Sequence, residues 1–313
     1  MLVSTRPAHS RHRFGLSGRI LTNNSLRMQP GQQAHLSLWL IWLYEALGYL
    51  GRLNIGTYRL PMALTAAAYS SNSLRIQQLL HENAQLIAEI RRLATACQLR
   101  LSMHLPPGCL AQRPLLSAGS SISAAGQLLE ALCRDALLVI HGAHPIRQSA
   151  TQLMALPPGV HALIAIEPNE HSFSLDDALE LYQHCGRPII LDTLHQAMYN
   201  PRRYTLHTAL RIACSTWPDA QRPKVHVATQ RTEGHIIEAR AGRPAHVLAP
   251  RPGQHADFIN PFEFAMLCEE LAGLPACDLM LEAKAGDMAL LRLRDDLRRY
   301  APEAQALIED SKD

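Results

Sequence analysis

Short runs of consecutive apolar residues recur along the chain, separated by longer stretches in which apolar positions return every three or four residues. The runs are Arg13–Leu16, Ile55–Leu60, Leu99–His104, Ala136–His141, Ala162–Glu167, Pro188–Asp192, Lys224–Val227 and Asp278–Glu282. Runs of this length without strict alternation predict strands covered on both faces, as in parallel sheets. Between them, Ser73–Cys97 predicts one helix. Its Leu74, Leu79, Leu80, Leu86, Ile87, Ile90 and Leu93 share a stripe, with Arg75, Glu82, Glu89 and Arg92 between them. Ser174–Cys185 and Pro261–Leu271 predict two more, the first opened by Ser174 as N-cap with Asp177 in its first turn. The most apolar segment, Leu36–Leu50, contains Glu45 and is shorter than the roughly 20 residues a bilayer span needs. It predicts a buried amphipathic helix.

Eight such runs, each followed by a helix or long loop, predict an α/β fold: a single (β/α)8 TIM barrel with its site at the C-terminal face of the strands. The barrel is placed at residues 13–300, after a flexible basic segment (1–12) and before a C-terminal tail (301–313). The rival is an open doubly wound sheet. No GxGxxG opens a helix and no GxxxxGK[ST] occurs, which disfavours its nucleotide-binding versions. The loop Arg231–Gly253 is rich in Pro, Gly and Arg. It reads either as a functional loop over the barrel mouth or as disorder.

Six of the runs carry at or next to their end a side chain able to hold a metal ion: His104, His141, Glu167, Asp192, His226 and Glu282. A barrel delivers its strand C-termini to one mouth, so these six would converge. His195 follows Asp192 by three residues, and His255 with Asp257 forms a further pair in QHADFINP. One histidine or carboxylate at one strand end is ordinarily a satisfied or solvated residue. Six together predict a shared polynuclear centre. Imidazole and carboxylate without thiolate suit Zn, Mn or Fe ions. Such a centre serves hydrolysis by activating water and stabilising the entering and leaving oxygens of a phosphate. No GxSxG offers a serine nucleophile instead. Sugar isomerisation through two metal ions would draw on the same ligand types.

Composition narrows this reading in three ways. With 313 residues, 47% hydrophobic content and a mean hydropathy of −0.07, the chain suits a globular enzyme and is too apolar for a disordered one. Seven scattered cysteines with no CxxC argue against a disulfide framework and for a reducing, cytoplasmic setting; the basic, polar start does not resemble a secretory signal. The net charge is +3 with 30 Lys+Arg, yet only Lys224, Lys284 and Lys312 are lysine. Lys224 shares a strand face with His226 and reads as a phosphate contact or, once carboxylated, a further metal ligand. Lys284 shares a face with Glu282 and reads as a phosphate contact. Arg113, Arg202, Arg203, Arg231, Arg240, Arg243 and Arg251 favour a polyanion over a neutral sugar.

With these residues placed, the chain resembles the UV-damage endonuclease family, a branch of the endonuclease IV-like metal-dependent TIM barrels. The matching stretches are TYRLP (57–61), RLSMH (100–104), VIHGAHP (139–145), IAIEPNE (164–170), IILDTLHQ (189–196), STWPDAQRPKVHVATQR (215–231), HADFI (255–259) and MLEAKAGDMALLRL (280–293). The resemblance implies a DNA-repair endonuclease that cuts the backbone of damaged double-stranded DNA immediately 5′ to UV photoproducts. It implies two or three divalent metal ions, Mn2+ first and Zn2+ second, with neither a membrane nor an obligate protein partner. Carried over, the ligands are His104, His141, Glu167, Asp192, His195, His226, His255 and Glu282, with Glu167, Lys224 and Glu282 as catalytic residues. The alternative is a diverged barrel metalloenzyme acting on a small phosphorylated or sugar-like substrate. Two stretches depart from the family pattern. YRLPMALTAAAYSS stands where YRLSSDLFP is usual, and offers Ser70 where an imidazole is expected. HLPPGCLAQRP lacks the family's glutamine and aromatic, which fill the duplex gap left by a flipped lesion. Tyr69 and Gln112 are the candidates to replace them, and join Lys284 and Arg231 as the substrate-binding set.

Overall fold

The computed structural model describes residues 11–31, 34–110, 115–240, 242 and 244–309. Each of the eight apolar runs forms a barrel strand. In chain order the strands are β1 (Arg13–Ser17), β2 (Thr57–Arg59), β3 (Arg100–His104), β4 (Leu137–His141), β5 (Ile164–Glu167), β6 (Leu191–Asp192) and β7 (Lys224–Val227), then β8 (His235–Ile237), β9 (His246–Leu248) and β10 (Asp278–Leu281). Eight of them make one sheet in the order β5-β4-β3-β2-β1-β10-β7-β6, while β8 and β9 form a separate two-stranded sheet. All seven ladders of the large sheet are parallel. Its free edges meet where Ile166 N–H donates to the Pro188 carbonyl and Ile190 N–H donates to the Ile166 carbonyl, both at 2.8 Å. With helices packed outside, this is the TIM barrel that the run count predicts.

The runs lack alternation because the outward positions pack under helices while some of the inward ones are apolar too. Leu101, Leu138, Ile166, Val225 and Leu279 belong to the large core between sheet and helices. Leu137, Val139, Ala165, Ile190 and Trp217 form a smaller cluster of their own. Many of the other inward positions are polar: Ser102 accepts a hydrogen bond from Lys224 Nζ (2.7 Å), and Arg100 meets Asp278. A barrel interior split in this way leaves a polar column running from one end to the other.

Helix Leu36–Arg52 is buried along Leu36, Trp39, Leu40, Leu43, Ala46, Leu47 and Leu50, and no helix among the described residues is long and apolar enough to cross a membrane. The Ser73–Cys97 stretch departs from expectation. It forms two helices, Ser73–Glu82 and Ala84–Ala96, separated by Asn83 at φ −113°, ψ 21°. The Asn83 amide donates to the Leu79 carbonyl at 2.9 Å, a local side-chain bond that competes with helix continuation. The loop Arg231–Gly253 carries the β8–β9 hairpin. Beyond the last barrel helix, Asp287–Tyr300, the short helix Pro302–Ala306 leads to Ile308, which bridges to His12 beside β1.

Candidate metal centre

Glu167, at the end of β5, is 1% exposed and lies at the middle of the mouth. Its Oε2 accepts from His104 Nε2 at 2.6 Å, and its Oε1 accepts from His226 Nδ1 at 2.9 Å and lies 3.5 Å from His195 Nδ1. Glu282, just past β10, faces it across His226: its Oε1 is 3.1 Å from His226 Nδ1 and 2.5 Å from the Arg59 guanidinium. Its Oε2 is 3.7 Å from His255 Nδ1. His141 stacks edge-on against His104, with ring centroids 4.9 Å apart, and stands 5.8 Å from His195. The short loop after His141 needs Gly142, because a Cβ there would sit 2.1 Å from the Phe173 ring.

Asp192 ends β6 and also caps the helix Thr193–Met198. Its Oδ1 accepts from the backbone N–H groups of Leu194 (2.7 Å) and His195 (2.9 Å), as an N-cap carboxylate does. One side chain thus sets both its own orientation and the start of the turn that carries His195. Three groups could each hold a metal ion, with ligand atoms within 4.8 Å of one another: His104, His141 and Glu167; Glu167, Asp192 and His226; and Asp192, His195 and His255. Shared Glu167 and shared Asp192 tie the three together.

The donor set fits a bound metal by a test internal to the protein. Asp192 Oδ2 and His226 Nε2 are buried and have no hydrogen-bond partner. Buried polar atoms of this kind are costly and uncommon unless something satisfies them, and both belong to the same candidate group. His226 donates from Nδ1 to Glu167, which leaves the Nε2 lone pair for a cation. The charges agree. Burial pushes the Glu167 carboxyl up, but His226, His104 and His141 outweigh it and hold it well below the usual range. Glu282, likewise penalised by burial, is held at about 2 by Arg59 and His226. Burial, with Glu282 and Glu167 nearby, raises Asp192, so anionic repulsion at this carboxyl awaits a positive charge.

The remaining sequence-predicted residues fall in different places. Lys224 is 1% exposed; burial lowers its ammonium to about 7, and its Nζ is hydrogen-bonded inside the barrel. It is thus sealed from solvent, unlike the open phosphate contact of one sequence reading. Lys284 is half-buried and, with Arg19, Arg59, His255 and Glu282, lines a cavity of about 360 Å³ beside the cluster. Arg231 is buried, with Nε donating to the Glu233 carbonyl and its guanidinium meeting His235 Nδ1 at 3.1 Å; it braces the root of the hairpin. Tyr69 packs against the core, Ser70 caps its helix through backbone bonds, and Asp257 is exposed. Gln112, Arg113 and Arg243 lie outside the described residues. Two residues were missed: Arg59, which ends β2, and Glu170, whose Oε2 is 3.6 Å from His195 Nε2. Both lie at or just past strand ends, and the position alone could have found them.

A closed parallel barrel with imidazoles and carboxylates gathered at the strand C-termini defines a TIM barrel of the metal-site class. Among such barrels, this chain belongs to the UV-endonuclease UvdE family, which matches residues 42–307. It is 27% identical over 163 residues to a UV DNA damage endonuclease of Halalkalibacterium halodurans, covering 50% of this chain and 44% of that protein. To one of Clostridium perfringens it is 26% identical over 137 residues, covering 43% and 29%. The matched stretches thus span less than half the length of these relatives. The crystal structure of SacUVDE shares the fold, with a TM-score of 0.72 at 20% identity over 92% of this chain and 98% of that one.

Proposed function

We propose that this protein is a divalent-metal-dependent endonuclease that nicks damaged duplex DNA 5′ to UV photoproducts, in the reducing cytoplasm. The observation that carries the reading is the cluster around Glu167, in which the buried Asp192 Oδ2 and His226 Nε2 await a cation, on a chain of this family. The eight residues His104, His141, Glu167, Asp192, His195, His226, His255 and Glu282 would hold two or three ions, with Mn2+ the first choice and Zn2+ the second. When bound, these ions supply Lewis acidity toward water and phosphoryl oxygens.

The chain's own groups prepare the site. Glu167 fixes the tautomer of His104 and His226 by accepting from each, which leaves His226 Nε2 with its lone pair for a cation. Arg59 keeps Glu282 ionised and immobile. Lys284, on the wall of the adjoining cavity, offers a cation to a backbone phosphate, as a point charge that positions without reading sequence. Lys224 sits deeper, where Ser102 orients it beneath the centre. Family membership favours DNA over the small phosphorylated or sugar-like substrate that similar ligands could serve. The test is metal analysis of protein purified without chelator, followed by nicking of irradiated and unirradiated duplexes with the ends mapped. Cuts 5′ to pyrimidine dimers that vanish with chelator support the reading; turnover of a small phosphate ester with no cut in either duplex sinks it.

A further inference from the structure

Both legs of the β8–β9 hairpin are rooted at the edge of the metal cluster. Gln230 bridges to His255, Arg231 N–H donates to the Gln254 carbonyl at 2.7 Å, and Gly253 N–H donates to Gln230 Oε1 at 2.7 Å. The buried Arg231 guanidinium stiffens the first leg, and Gly234 lets the second approach: a Cβ there would lie 2.8 Å from Val247 Cγ1. The register pairs His235 with Leu248, Ile236 with Val247 and Ile237 with His246. Ile236 and Val247 therefore stand side by side on one face, 75% and 71% exposed. Arg240 and Arg251 are also exposed.

We propose that this hairpin is a DNA-engaging arm, in which the Ile236–Val247 pair wedges against bases unstacked at the lesion and Arg240 and Arg251 neutralise flanking phosphates. The proposal rests on the endonuclease reading. A two-stranded ribbon is a shape that duplex grooves admit. The two apolar side chains of this face are the size of the wedges by which DNA-bending proteins part a base step; even with Ile237 and Leu248, also exposed on the hairpin, they fall far short of the roughly 1,200 Å² that a stable protein interface buries. Arg240 and Arg251 complement phosphate charge, partly offset by the exposed Glu233 and Glu238 of the same segment, and the root of the ribbon is continuous with His255 of the site. Extruding a damaged nucleotide leaves an unfavourable gap in the stack, and an apolar pair entering it favours the lesion over intact duplex.

The test uses the metal-loaded full chain on irradiated and unirradiated duplexes, the former carrying 2-aminopurine opposite the lesion. Ile236→Thr with Val247→Thr keeps both positions β-branched, so the ribbon persists while the apolar face is lost. We expect preference for irradiated duplex to fall at least tenfold and the 2-aminopurine signal of unstacking to diminish, with metal content and salt slope unchanged. Arg240→Ala with Arg251→Ala should weaken both duplexes and lower the salt slope. Preference within twofold of wild type in the threonine variant overturns the arm. So does a loss confined to self-association in the ultracentrifuge, which would make a second copy of the chain the occupant. Wild-type protein that leaves irradiated duplex uncut removes the endonuclease reading and the arm with it; wild type and variant cutting alike removes the arm alone.

Discussion

The barrel has two buried ionic clusters, one at each end of the same strands, and they are built on opposite principles. At the floor, Asp278 Oδ1 accepts from Arg13 Nε at 2.7 Å and its Oδ2 from Arg100 at 3.3 Å. Arg100 also forks onto Asp135 at 2.9 and 3.0 Å and donates to the Arg222 carbonyl, while its guanidinium lies over the Trp217 ring. Every charge there has an opposite charge, and none of these side chains has a buried atom without a partner. At the mouth, five histidines, Asp192, Glu167 and Glu282 crowd together, and two of their buried atoms bond to nothing. Burial and charge are common to both ends, so neither marks function. What marks it is the unmet demand.

If that contrast is right, the two ends should fail differently. The largest effect is expected from Glu167→Gln, which should lose bound metal and reduce nicking at least about a thousandfold, while the metal-free protein melts close to the wild type. Full metal content by elemental analysis with normal turnover would take Glu167 out of the site. At the floor, Asp278→Asn removes the counter-charge of Arg13 and leaves Arg100 only Asp135, and should cost about 3–5 kcal/mol in urea unfolding. Any activity of the fraction still folded should remain metal-dependent.

The floor also predicts a pH response. Burial, with Arg222 beside it, lowers His12 from 6.5 to about 4, and its Nδ1 accepts from Cys277 N–H at 3.0 Å. The fold therefore holds the ring neutral, whereas the unfolded chain takes up a proton as pH falls through 6.5. The His12 contribution is complete above pH 6.5 and is lost as pH falls to 4, up to about 3 kcal/mol in total. His12→Asn should flatten the stability profile in that window; an unchanged profile would assign the acid sensitivity elsewhere. The smallest effect separates the two lysines. Lys284→Ala should lower the slope of log affinity against log salt by about one, while Lys224→Met leaves it unchanged. Equal slopes for both would erase the distinction between a lysine on the mouth cavity and one sealed in the barrel.

Much of this was legible in the chain. The side chains at the mouth could be read because six of them stand at or beside the ends of apolar runs, and a parallel barrel converts strand ends into neighbours. The floor was written in the same strings and went unread. Arg13, Arg100 and Asp278 open the very runs that lead on to the mouth, as does Lys224 in the column between, but a charge that starts a strand resembles a solvated boundary. Nor could spacing reveal that Lys224 and Arg231 are buried, since depth inside a barrel depends on neighbours from other strands. The break at Asn83 rests on one local side-chain bond set against a stripe that otherwise runs on. The hairpin escaped because its turn region lacks the Asn-Gly or Asp-Gly signature and its apolar pair faces solvent.

Strands β3 and β10 each lead from a floor charge to a side chain at the mouth four residues on, Arg100 to His104 and Asp278 to Glu282. Side chains alternate strictly along a strand, so a slip by one residue would turn both members of a pair outward together. The ion pair at the floor thus works as a gauge block for the distant centre: while Arg100 and Asp278 meet, His104 and Glu282 are at the right height and on the right side. Gain or loss of a single residue within either strand should be forbidden, whereas the exposed hairpin between β7 and β10 can change length without disturbing the alignment.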